Sequence, residues 1–178
     1  ALISQSDITT LPGFSISSVQ NIEKVRTYGI ETSLQTKDMW MRDLDLSGSV
    51  AYIHARIVKN SANPGLENTL PPLIPAWRAT LLATYHASDE LSYSLGYRFS
   101  GRQRSGLFNT TTKLYPDDPN PNVYGGRSSF SVFDAKALYK LTKQWSASVG
   151  IDNIGNFKYY TLAPYPQRTF FGSVKFDY

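Results

Sequence analysis

The chain has 178 residues, a formal net charge of +4 and no cysteine, which excludes a disulfide framework, a cysteine zinc site and a thiol nucleophile. Twelve Tyr, nine Phe and three Trp, set against two His and two Met, make it rich in the amphipathic rings that a membrane interface selects. Lys and Arg are scattered without a block, so the basic balance marks no nucleic-acid partner, and no apolar run approaches the roughly 18 residues of a transmembrane helix.

In chain order, ALISQSDITT has neither the basic nor the apolar region of a signal peptide. A strand stub is expected at 1–5, and SDITTLPGF reads as a loop. A strand over 16–36 sets Tyr28, Ile30 and Leu34 against Thr27, Glu31, Ser33 and Gln35. The next, over 43–59, sets Leu44, Leu46, Val50 and Tyr52 against Asp45, Ser47 and Ser49. Over 75–87, Trp77, Ala79, Leu81, Ala83 and Tyr85 alternate with polar residues except at Leu82. Over 91–104, LSYSLGYRFS alternates without an error. Strands over 127–141 and 144–154 follow, with Phe133, Ala135, Ala137 and Tyr139 in the first and Trp145, Ala147, Val149 and Ile151 in the second. The last, over 167–178, sets Phe170, Gly172, Val174 and Phe176 against Thr169, Ser173, Lys175 and Asp177. Period-two segments of about ten residues are the length at which tilted strands cross a bilayer.

Short connections (TKDMWMRD, ASDE, LTKQ) alternate with long ones near 6–14, 60–75, 105–126 and 154–167 that are rich in Pro, Gly and Asn. Short turns on one side and long loops on the other predict an antiparallel transmembrane β-barrel of the outer membrane, with the long loops outside the cell and the C-terminus periplasmic. Lipid cannot hydrogen-bond a backbone, so the strands must pair laterally and turn an apolar face outward. Trp77, Tyr85, Tyr139, Trp145 and Tyr178 fall near strand ends, where interfacial aromatics belong. A soluble β-sandwich or lipocalin-like barrel also alternates; the large apolar residues facing small polar ones fit lipid against a wet lumen better.

No catalytic set emerges. His54 and His86 are isolated, with no carboxylate partner suggested by spacing, so neither base catalysis nor metal ligation is expected. GRQRSG lacks the strand–turn–helix context of a phosphate loop. Asp117 and Asp118, in YPDDPNPN, read as a solvated turn rather than a cation site. The loop around 100–127 is the expected ligand-facing element, because Arg102, Arg104, Tyr115, Tyr124 and Arg127 combine the charge and rings that would grip an anionic or catecholate-like metal chelate.

Four ordered segments resemble the C-terminal part of TonB-dependent outer-membrane receptors: NIEKVRTYGIE, LPPLIPAWRATLLATY, FSVFDAKALYKLTKQWSASVGIDNIGNFKYY and PQRTFFGSVKFDY. Gly155 departs from the family's usual aromatic in the third. The resemblance takes in nearly all of residues 1–178, as one portion of a barrel. It implies the last eight or so strands of a barrel of about 22, without the N-terminal plug. It further implies Gram-negative outer-membrane uptake of a scarce nutrient, foremost a ferric siderophore or other metal chelate, with the TonB complex acting through the missing plug. Phe170, Val174, Phe176 and Tyr178 would form the C-terminal signature read by the outer-membrane assembly machinery. Lipid and lipopolysaccharide are the other expected partners, with no cofactor and no enzymatic activity. The alternatives are a stand-alone eight-strand barrel with a structural or adhesion role, for which Ser92, Ser94, Gly96, Ser100, Ser146, Ser148 and Gly150 look too small to fill the interior, and a barrel enzyme, for which no nucleophile and base converge.

Overall fold

The structure is a computed structural model that describes residues 3–11, 14–38 and 41–178, with residues 3–11 and 14–20 described through their backbone. β1 (Ile3–Leu11) and β2 (Phe14–Asn21) form a two-stranded antiparallel sheet. β3 (Lys24–Lys37), β4 (Leu44–Lys59), β5 (Trp77–His86), β6 (Leu91–Ser100), β7 (Phe130–Lys140) and β8 (Trp145–Asp152) follow. β9 (Tyr160–Thr161) and β10 (Ala163–Pro164) are two-residue strands in the last long loop, and β11 (Thr169–Phe176) completes the series. Seven strands make one antiparallel sheet in the order β11-β8-β7-β6-β5-β4-β3. The single 3-10 turn among the described residues is Pro64–Leu66.

The expected strand over 16–36 is two elements, β2 and β3, separated at Ile22 and Glu23. Most of the stretch read as a loop, SDITTLPGF, lies in strands: β1 pairs with β2 from Ile3↔Asn21 to Leu11↔Phe14. Ile8, Thr9 and Thr10 are the physical reason, since consecutive β-branched residues favour extended backbone. The strand expected over 91–104 stops at Ser100; beyond it Gly101 N donates to Trp77 O at the start of β5 at 2.9 Å, and Arg104 O accepts from Leu73 N of the 60–76 loop at 3.0 Å.

Register sorts the side chains as the alternation predicts. On one face Tyr52 opposes Trp77, Val50 opposes Ala79 and Leu44 opposes Tyr85; Leu95 opposes Ala135 and Tyr97 opposes Phe133. Ile30, Leu81, Leu95, Val149, Phe170 and Val174 on this face are all exposed, as a lipid-facing surface requires. The opposite face carries Ser33, Gln35, Ser47, Ser49, Thr80, Ser94, Arg98, Asp134 and Lys136 around a concavity of about 810 Å³. A single sheet has no second layer to bury against. The fully buried apolar side chains, Ile57, Leu66, Val132, Tyr159, Pro71 and Pro75, therefore collect at the loop end of the wall.

Candidate functional site

The long loops form an ordered platform. Residues 60–76 return along β4, with Ile57 N donating to Thr69 O at 3.0 Å and Asn68 N to Ile57 O at 2.8 Å. This loop is bonded to the 101–129 loop where Leu73 N donates to Arg104 O at 3.0 Å and Leu70 N donates to the Tyr115 phenol at 2.8 Å. Tyr115 is thus buried, with Phe108 edge-on at 5.3 Å.

The arginines of that loop face its aspartates. Arg102 Nη2 donates to Asp117 O at 2.6 Å and lies 3.2 Å from Asp118 Oδ1, while Arg104 Nη1 donates to the same carboxylate oxygen. The Arg104 guanidinium also stacks 4.3 Å above the Tyr115 ring. Asp118 Oδ2 accepts from Tyr115 N at 2.7 Å. That backbone bond is the main cause holding the Asp118 carboxyl below its usual range; burial opposes it, and the nearby Arg104 and Arg102 assist it. Asp117 and Asp118 are therefore not a solvated turn: Asp117 is 4% exposed, with Arg102 Nη2 at 4.0 Å. Two positive and two negative groups leave this part of the platform close to neutral.

The remaining loop residues are placed differently. Tyr124 is 80% exposed. Arg127 makes a backbone bridge to Thr161, which ties the 101–129 loop to the 153–168 loop, and its Nε is buried with no hydrogen-bond partner among the described residues. Sequence spacing does not bring the Arg102 and Arg104 pairings together, because the partners lie 14 to 16 residues apart in a segment without a period.

Two polar networks on the lumen face were not singled out from the sequence. Arg98 on β6 holds Asp134 on β7 through Nε–Oδ2 at 2.7 Å and Nη2–Oδ1 at 3.0 Å. Asp134 Oδ1 also accepts from Asn153 N at 2.8 Å. The Asn153 side chain exchanges two bonds with the Phe157 backbone, each 2.8 Å, at a left-handed φ of 52° that Asn tolerates. Tyr159 then packs between Phe130 at 4.4 Å and Tyr165 at 4.7 Å, and burial pushes its phenol up to about 12. At the other end of the wall, His86 Nε2 lies 3.2 Å from Asp45 Oδ2, a carboxylate partner that sequence spacing did not suggest. The available signal for both was register: β4 with β5 and β6 with β7 are consecutive hairpins.

Among the described residues, no three His, Cys, Asp or Glu side chains converge as a metal site. Phe170, Val174 and Phe176 lie on the exposed apolar face of β11, with Phe176 packed 4.8 Å from Trp145, and Tyr178 is fully exposed.

Solved structures share this fold at low sequence identity. The unliganded ferric citrate transporter FecA aligns with a TM-score of 0.69 and 18% identity, over 85% of this chain and 24% of that one. The copper transporter OprC aligns at 0.66 and 20% identity, over 98% and 26%. The siderophore receptor PiuA from Acinetobacter baumannii aligns at 0.62 and 17%, over 96% and 23%. The chain thus spans about a quarter of the length of the structures it resembles. No curated protein matches it. A family model described as TonB dependent receptor-like, beta-barrel, matches residues 2–154, and the chain belongs to that family of outer-membrane receptors, which are transporters and not enzymes.

Proposed function

We propose that this chain is one portion of the wall and outer loops of a receptor that takes up a metal chelate, foremost a ferric siderophore, across the outer membrane. The observation that carries the reading is the family match over residues 2–154. The ligands of the similar structures support the class: a ferric citrate transporter, a ferric enterobactin receptor and a copper transporter share the fold. The long loops would face the medium and the C-terminus the periplasm. The energy for uptake would come from the TonB complex through a plug domain that lies outside these residues.

Within this reading the 101–129 loop contacts the ligand. Tyr124 offers an accessible ring, and Arg127 a half-buried side chain whose Nε has no partner among the described residues; Arg102, Arg104 and Tyr115 hold the loop in shape through Asp117 and Asp118. Phe170, Val174, Phe176 and Tyr178 form the assembly signature of the barrel. The test is uptake of radiolabelled ferric chelates by cells carrying the complete receptor, with and without TonB. Saturable uptake that needs TonB and falls at least about tenfold in Tyr124→Ala/Arg127→Gln supports the reading. Passive, TonB-independent entry refutes it, and uptake unchanged in the variant refutes the loop assignment.

A further inference from the structure

The apolar face of β3 and β4 ends, toward the long loops, in two arginines set directly against one another. Arg26 and Arg56 are cross-strand partners on the same face as Tyr28, Ile30 and Tyr52. Arg26 is exposed and Arg56 half-exposed. Like charges in directly opposed positions destabilise a strand pair, and among the described residues neither guanidinium has a carboxylate within ion-pair distance. The register positions of this face on β3, β4 and β5 include no Asp or Glu at all. The nearest acid in sequence, Glu23, is committed to Lys59 at 3.0 Å and to Ser61 N at 2.7 Å.

The rows beneath fix the depth of the pair. One row down, Tyr28 stacks on His54 with ring centroids 4.8 Å apart; one row further, Tyr52 packs on Trp77 at 4.7 Å, and the exposed aliphatic residues begin. Successive same-face rows are about 6.7 Å apart along a strand, or about 5 Å in depth at a tilt near 45°. The arginines therefore stand at headgroup level, immediately outside the aromatic belt, where two forked guanidinium groups match the oxygens of a phosphate.

We propose that Arg26 and Arg56, above the Tyr28–His54 stack, bind a phosphate of a diphosphorylated outer-leaflet glycolipid of the lipid A class. The site lies on the outer wall, separate from any ligand path through the lumen. It rests on the orientation given above, in which the long loops face outward, and not on the uptake reading.

The test measures binding of the complete receptor, in detergent, to diphosphorylated lipid A, to its dephosphorylated form, to phosphatidylglycerol and to inorganic phosphate. The unmodified receptor is expected to bind the diphosphorylated lipid at least about tenfold more tightly than the other three. Arg26→Gln/Arg56→Gln should lose that preference, Arg26→Lys/Arg56→Lys should keep part of it, and Arg78→Gln on the lumen face should leave it intact. Equal binding of phosphorylated and dephosphorylated lipid by the unmodified receptor would overturn the proposal whether or not the variants fold. So would a preference for phosphatidylglycerol, which would put the patch in the inner leaflet. Phosphate alone binding as tightly as the lipid would replace a lipid site with an anion site. Uptake is read separately, so its failure leaves this result standing.

Discussion

Arg98 and Asp134 form a two-pronged pair across β6 and β7, 2.7 Å and 3.0 Å between donors and acceptors, and the same carboxylate receives the backbone N–H of Asn153. One side chain thus joins the wall to the start of the last long loop. Asp134→Ala should destabilise the folded barrel by about 1–3 kcal/mol, since it strands a charged donor as well as the Asn153 amide. Replacing both partners with apolar residues of similar size should cost less. Denaturant midpoints of the complete receptor in micelles measure the difference, and an unchanged midpoint in Asp134→Ala would show that the pair contributes nothing.

Two glycines should respond differently to the same methyl group. A Cβ on Gly29 would run into the Tyr52 carbonyl oxygen and crowd the Ile53 Cα, backbone that cannot step aside without shifting the β3–β4 pairing. A Cβ on Gly150 would meet the ring end of Phe171, a side chain that can swing into the lumen. Gly29→Ala is expected to cost about 1–3 kcal/mol and Gly150→Ala well under that, read from the same unfolding curves. The reverse ranking would sink the distinction.

Acid should loosen the outer platform. The Asp118 carboxyl is held below its usual value by the Tyr115 N–H, with Arg104 and Arg102 assisting against burial. A depressed folded-state value means that its stabilisation is complete above the ordinary Asp range near 3.8 and is lost as pH falls through the folded value. Tyr115 is expected to stay shielded from a quencher at neutral pH and to become accessible below about pH 4. In Asp118→Asn that acid-dependent step should vanish and the shielding should already be reduced at neutral pH.

Pairing in the main sheet ends at β3 and β11, so residues 1–178 present strand edges that lipid cannot satisfy. Expressed and refolded alone in detergent, the chain should show no mobility shift between unboiled and boiled gel samples. The shift should appear once the remaining strands of the complete receptor are supplied. A shift with 1–178 alone would mean that these strands close on themselves, as in the small-barrel alternative.

Alternation was enough to place β5, β6 and β8 to within a few residues, because lipid on one side and water on the other impose a strict two-residue period. It failed at the N-terminal end, where Pro12 and Gly13 outweighed the β-branched run before them and Ile22–Glu23 gave no sign of a break. The Arg–Tyr content of the 101–129 loop was visible; its pairing with Asp117 and Asp118 was not.

The sequence by itself determined the all-β class, the membrane-facing register and the family, since each of these is written in local period or in ordered motifs. Only the tertiary structure decided which charges meet: Arg102 and Arg104 with Asp118, Arg98 with Asp134, His86 with Asp45, and Arg26 with no acid among the described residues. Those outcomes depend on hairpin register and on loops folding over one another, and a chain read along its length carries neither distance.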